Sequence, residues 1–124
     1  MLSLVMAQHN ELGKEGEKLA VRFLSDKGYT ILETNYRYLK AEIDIIARIG
    51  NVICVVEVKT RSTSEFGNPQ EFVKPKQIGL LVSAINNYIE DIEDDVEIRF
   101  DIVAIVKNKL GTTVEHLEDA FMHF

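Results

Sequence analysis

Between Ala41 and Thr60 the chain reads AEIDIIARIGNVICVVEVKT, and Gly50-Asn51 at its centre is a two-residue signal for a tight β-hairpin. A turn of two residues sets Ile49 against Val52, and each step outward pairs residues whose numbers keep the same sum. Asp44 then faces Glu57 and Glu42 faces Lys59, all on one face because positions two apart share a face. The other face carries Ile43, Ile45 and Ala47 against Val58, Val56 and Cys54, an apolar set that belongs in a core. On the charged face, Ile46 and Val55 nearer the turn are apolar, so another element packs over that half and leaves the charged end as the rim of a cleft. Opposed residues have Cβ atoms about 4.5–5.5 Å apart and like charges there repel, so something positive is expected between Asp44 and Glu57.

Two readings fit these charges. In one, Lys59 screens Glu42 and its neighbours as a solvated cross-strand ladder, worth about 0.2–1 kcal/mol per favourable pair, and no function follows. In the other, Asp44 and Glu57 hold a divalent cation, because Mg²⁺ is commonly bound through one or two carboxylates and completes its shell with water and substrate phosphate oxygens. Such an ion relieves the repulsion and polarises a phosphodiester.

The flanking sequence fills in an α/β order. Apolar or small residues at Leu12, Gly16, Leu19, Ala20, Phe23 and Leu24 mark one face of a helix, with Asn10 as its N-cap and Gly28 as its C-terminal stop. Gly16 lies near the middle of that face, where a missing side chain lets a helix approach a sheet closely. The strand-like run YTILETNYRY precedes the hairpin, and the polar loop RSTSEFGNPQEFVK follows it. After Pro75, the spacing of Ile78, Leu81, Val82, Ile85 and Ile89 predicts a second helix, with the proline near its start. VEIRFDIVAIV alternates as a fourth strand, a turn spans Lys107 to Gly111, and a short fifth strand lies near TTVEHL. The predicted fold is an α/β domain over residues 1–124 with a mixed sheet, its third and fourth strands parallel across the helical crossover.

Composition narrows the class. With 124 residues, no low-complexity or repeated segment and only Pro69 and Pro75 as prolines, the chain reads as one folded globular domain. The opening MLSLVMA is too short for a membrane span and lacks the basic leader of a secretory signal, so a cytosolic protein with no membrane partner is expected. The lone Cys54, inside an apolar strand, reads as a small core residue. A formal charge of −6 argues against nonspecific attraction to nucleic acid, but its distribution matters more. The run EDIEDDVE holds much of the negative charge, while Arg37, Lys40, Arg48, Lys59, Arg61, Lys74 and Lys76 fall mid-chain and leave room for a locally basic surface. His9, His116 and His123 have no zinc-like spacing, GKEGE lacks the setting of a phosphate loop, and no cysteine or serine has an evident base nearby in sequence.

Asp44 followed by Glu57-Val58-Lys59 across a short hairpin resembles the Asp...(Asp/Glu)-x-Lys core of the restriction-endonuclease-like nucleases, whose core runs helix, three strands, helix, strand. From Gly13 onward, the blocks GEKLAVRFL, NYR, EIDIIA, VVEVKTR, FGNPQEFVKPKQ, RFDIVAI and EHLEDAF resemble those of the bacterial YraN-like family of predicted endonucleases, similar in fold to archaeal Holliday-junction resolvases. The resemblance implies Asp44 and Glu57 as ligands of Mg²⁺ or Mn²⁺. It implies Lys59 as the group that orients water or stabilises charge on the phosphate; an unperturbed pKa of about 10.4 makes lysine a poor general base. Glu17 matches the acidic residue that the first helix of related resolvases brings to the metal. Ala41 stands where the family commonly has glycine, so the turn before Glu42 differs.

Arg37, Arg61, Lys74 and Lys76 are candidate phosphate contacts, Gln70 could position water or phosphate, and Asp101 reads as structural, with Arg99 two residues away as an ion-pair partner. The expectation is a metal-dependent endonuclease acting on DNA phosphodiesters; the rival is a noncatalytic nucleic-acid-binding or assembly module on the same fold. A homodimer would suit symmetric cutting, with the apolar ends MLSLVMA (within residues 1–10) and AFMHF as interface or as segments folded onto their own domain.

Overall fold

The computed structural model describes residues 4–63 and 73–121, with side chains from Glu11 onward. Helix α1 spans Leu4–Asp26 and is followed by strands β1 (Thr30–Tyr38), β2 (Ala41–Ile49) and β3 (Val52–Arg61). Helix α2 (Pro75–Ile89) then leads into β4 (Glu97–Asn108) and β5 (Gly111–Leu117). The five strands form one sheet in the order β1-β2-β3-β4-β5. Neighbours are antiparallel except β3 and β4, which run parallel because α2 carries the chain back between them. The expected α/β class and mixed sheet are thus present. Gln70 and most of the expected polar loop lie outside the described residues.

Helix α1 begins at Leu4, so Asn10 lies inside it and is not its N-cap. Asparagine within a helix costs at most about 0.7 kcal/mol relative to alanine, too little to start a new element where LVMAQH already continues the helix upstream. The other end matches expectation. Gly28 takes φ 97. Its N–H reaches the Ser25 carbonyl at 3.0 Å and the Tyr29 N–H reaches Leu24 at 3.0 Å, the paired closure of a glycine-terminated helix.

The sheet has a core on each side. On one, Ala20 and Leu24 of α1 cover Ile45, Ala47, Cys54, Val56, Val103 and Ile105. On the other, Ile78, Leu81, Ala84 and Ile85 of α2 cover Ile43, Ile46, Ile53, Val55, Phe100 and Ile102. Cys54 is fully buried and free, as a core residue. Helix α1 approaches β3 at Gly16, where a Cβ would stand 2.0 Å from Thr60 Oγ1, so the glycine is required by packing. After β5 the chain returns to the α2 side: the Ala120 N–H bonds the Phe100 carbonyl at 2.8 Å, and Phe121 is buried against Phe100. The start of AFMHF therefore folds onto its own sheet; residues 122–124 lie outside the described residues.

Candidate functional site

Strands β2 and β3 pair from Ile49–Val52 as far as Ile45–Val56. There the regular register stops. Asp44 turns its carboxylate into the backbone of β3, and its Oδ2 accepts the Val58 N–H at 2.8 Å. On the other side of β2, the pairing with β1 skips from Thr34–Ile45 to Tyr36–Ile43, and Asn35 between them holds φ 52. Ile43 belongs to the α2-side core and Ile45 to the α1-side core, so the alternation of β2 changes phase at Asp44.

This corrects three expectations. Ile43 and Ile45 do not share a face, because the constant-sum register assumes unbroken alternation. Asp44 is not a ladder partner of Glu57. Glu42 is not set against Lys59 but pairs with Arg37 of β1, its carboxylate 3.7 Å from the guanidinium in an exposed ion pair. The inference that an element packs over the turn half of the hairpin holds, and that element is α2, which covers Ile46 and Val55.

Where the strands part, a cleft of about 350 Å³ is lined by Glu17 of α1, Asp44 of β2, and Glu57, Lys59 and Arg61 of β3, with Gly13 and Thr60 on its floor. A second cleft of about 380 Å³ shares Glu17 and Asp44 and extends past Lys14, Lys18, Thr34 and Asn35. Glu17, Asp44, Glu57, Lys59 and Arg61 are thus brought together from three elements. Arg37 and Lys76 line neither cleft: Arg37 is exposed and engages Glu42, and Lys76 is exposed on the first turn of α2. Lys74, just before that helix, is exposed as well.

Two buried acids mark the interior, and their surroundings differ. Asp101 of β4, 0% exposed, accepts Arg99 Nε at 2.9 Å, the Asp119 N–H at 2.9 Å and His116 Nε2 at 2.8 Å. Burial would raise its pKa, but the hydrogen bonds from His116, Arg99 and Asp119 together hold it below the usual carboxylate range. His116 is held between two partners, with Lys27 Nζ 2.8 Å from its Nδ1 and Asp101 Oδ2 2.8 Å from its Nε2. This network confirms the structural reading of Asp101 and adds His116 to it.

Glu57, 3% exposed, has no such support. Its Oε2 receives a long contact of 3.4 Å from Gln77 Nε2, and its Oε1 is buried with no partner of good hydrogen-bond geometry. Burial and the charge of Asp44 push the Glu57 pKa up to about 8, against the attraction of Lys59 and a weak opposing influence of the Asp44 backbone N–H. Burial also raises Asp44, to about 6; the Val58 N–H and Lys59 oppose the shift while Glu17 and Glu42 add to it. Lys59 thus acts on both acids. The pair is short of positive charge, which a cation at this position would supply.

Among the described residues, no three His, Cys, Asp or Glu side chains are gathered closely enough to hold an ion unaided. Glu17 borders the cleft and acts on Asp44 through its charge, without completing a three-carboxylate cage. Two carboxylates suit Mg²⁺, which ordinarily retains several water ligands, better than Zn²⁺ or Ca²⁺, which need more protein donors. Sequence reasoning missed Gln77, whose signal is its place in the first turn after Pro75, and Lys14 and Lys18, whose i and i+4 spacing puts both on the side of α1 that lines the second cleft.

The molecule is thus an α/β protein with two helices on a five-stranded mixed sheet and a cleft holding the buried Glu57, the half-buried Asp44 and a lysine where the central strands part. It belongs to the uncharacterised protein family UPF0102, whose model matches residues 16–105. A UPF0102 protein of Christiangramia forsetii is 66% identical over 119 residues, spanning 96% of this chain and 100% of its own. One from Flavobacterium psychrophilum is 58% identical over the same shares of both chains. A more divergent one, from Thermodesulfovibrio yellowstonii, is 45% identical over 90% of this chain and 96% of its own.

Proposed function

We propose that the protein is a metal-dependent endonuclease that hydrolyses DNA phosphodiester bonds, on a fold of the restriction-endonuclease-like kind. The observation that carries this reading is the buried Glu57 Oε1 with no partner of good hydrogen-bond geometry, beside a second acid and a lysine, whereas Asp101, the other buried acid among the described residues, is held by three partners. Asp44 and Glu57 would hold the Mg²⁺ or Mn²⁺ ion, which when bound polarises the phosphoryl oxygen and lowers the pKa of water.

The chain's own residues do the rest. Val58 N–H fixes the Asp44 carboxylate by binding one of its oxygens, on a residue that lines the cleft. Lys59, half-buried on the same strand as Glu57, orients water or offsets charge growing on the phosphate. Glu17 reaches the cleft from α1, where it could accept a hydrogen bond from bound water. Arg61 borders the cleft at the end of β3 and can steady the neighbouring phosphate. Among the described residues no helix is long and apolar enough to cross a membrane.

The reading is tested by titrating Mn²⁺ into chelator-stripped protein beside a short DNA duplex, followed by calorimetry. One ion should bind per chain in the wild type, with strong weakening in Glu57→Gln. Equal binding by both, or none by the wild type, would remove the ligand assignment and favour a noncatalytic binding module.

A further inference from the structure

Strand β2 is antiparallel to β3 and β4 is parallel to it, so β2 begins, and β1 and β4 end, at the edge of the sheet where Lys59 and Arg61 lie. The tip joining β1 to β2 and the tip joining β4 to β5 therefore project from that same edge, one on each side of β3. Each presents a leucine: Leu39 is 84% exposed and Leu110 97%, the two exposed large apolar side chains among the described residues. The tips lie about three strand spacings apart, roughly 14 Å before twist. That span matches about four base steps at about 3.4 Å per step on one strand.

Neither tip is an incidental hydrophobe on a loose loop. Leu39 holds φ 55 at the first position of a two-residue hairpin, where glycine or asparagine is favoured. A leucine kept there is strained, and strain of this kind gathers at functional positions. At the other tip, the Leu110 N–H bonds Asn108 Oδ1 at 2.8 Å, and Asn108 Nδ2 bonds the Ser62 carbonyl at 2.8 Å, which ties this hairpin to the residues just after β3.

Charge is arranged in the same sense. Lys40 and Lys109 are exposed beside the two leucines, with Arg37 and Lys107 one step behind, paired to Glu42 and Glu15 respectively. The acidic run from Glu90 enters β4 at the far edge, where the Glu97 N–H bonds the Asn51 carbonyl at 2.9 Å in the opposite hairpin turn. The acidic run, joined by Arg48 through Asp94, thus lies at the opposite end of the sheet from Lys40 and Lys109.

We propose that the Leu39 and Leu110 tips are wedges that press into the base stack on either side of the carboxylate cleft, while Lys40 and Lys109 engage the flanking phosphates. Apolar side chains inserted between base steps unstack them, and cations at the rim hold the backbone. The substrate class that fits is base-paired DNA at a step already weak in stacking, such as a nick, branch or duplex end. This proposal rests on the nuclease reading for what is cut, whereas the grip itself needs no hydrolysis.

The test is the binding, in chelator, of a nicked duplex carrying 2-aminopurine at the nick, read by anisotropy for affinity and by 2-aminopurine emission for unstacking. The wild type should brighten the probe severalfold. The Leu39→Gly/Leu110→Ser variant should retain affinity within roughly threefold, since phosphate contacts dominate it, and lose most of the brightening. Leu39→Gly alone should melt no lower than the wild type, because glycine suits the positive φ, so a functional loss is separable from misfolding. Brightening unchanged in the double variant, or absent in the wild type, would overturn the proposal. So would loss of self-association in the double variant without any brightening in the wild type, which would make the tips a protein interface. A parallel Mg²⁺ cleavage assay separates the two claims: cleavage without brightening removes the wedges alone, and brightening without cleavage supports the wedges and removes the nuclease reading.

Discussion

The Asp44 carboxylate accepts the Val58 backbone N–H at 2.8 Å, so a cleft acid is also part of what joins β2 to β3 where their ladder ends. Asparagine at this position keeps an acceptor for Val58 and removes a negative charge beside Glu57. Metal-free Asp44→Asn should therefore be at least as stable as the wild type, and Asp44→Ala, which leaves the Val58 N–H unmet, should fall below Asp44→Asn by about 1 kcal/mol. Urea titrations of the three proteins decide this; equal stability of the two variants would mean that the bond contributes nothing.

The raised acids predict an unusual pH profile. Asp44 and Glu57 have folded pKa values of about 6 and about 8, above their unfolded ones. Their stabilising contribution is then fully present below the unfolded values and is lost as pH rises through the folded ones. Metal-free stability should decline between about pH 4 and about pH 8 by several kcal/mol, and Glu57→Gln should flatten the decline and stabilise the alkaline end. Saturating Mn²⁺ should reverse the trend, because its ligands must be deprotonated. A metal-free profile that rises over this range would contradict the assigned strain.

Asp101 runs the other way. Its pKa is depressed, so its contribution is present above the ordinary carboxylate value and is lost as pH falls through the folded one, an acid-side loss distinct from the neutral-range effect at the cleft. Asp101→Asn leaves Arg99 with only the longer contact to Glu118 at 3.5 Å as its carboxylate partner among the described residues and should cost about 3 kcal/mol. Chemical denaturation at neutral pH measures it, and a change below about 0.5 kcal/mol would show the network to be dispensable.

Gly16→Ala places a methyl group 2.0 Å from Thr60 Oγ1, so α1 or β3 must shift. Overpacking of this kind costs about 1–3 kcal/mol. Thr60→Ala should restore part of the loss, since the threonine Cβ remains at 3.1 Å. A double variant no more stable than Gly16→Ala would place the cost elsewhere.

Much of this was legible in the sequence. The Gly50-Asn51 turn, the helix after Pro75, the Gly28 stop and the close approach at Gly16 each follow from local chemistry, and each stands. The phase change at Asp44 was not legible, because strand alternation predicts one continuous phase, and the Asp44–Val58 bond and the positive φ of Asn35 beside it appear only when the strands assemble. Nor was the Asp101–His116 contact, which joins two strands and receives Lys27 from the end of α1. His116 shows no metal-like spacing, and its partner emerges only when β4 and β5 pair. The approach of Lys40 and Lys109 was hidden for a similar reason: residues distant in sequence reach one end of the sheet only through the strand directions.

The central claim is met most directly by incubating labelled single-stranded, duplex, nicked and four-way DNA with wild type and Asp44→Asn, in Mg²⁺, Mn²⁺ or chelator. The account predicts metal-dependent cleavage of at least one base-paired substrate by the wild type, absent in chelator and reduced by about a hundredfold or more in Asp44→Asn at unchanged stability. Cleavage that persists in Asp44→Asn, or that proceeds equally well in chelator, would contradict it.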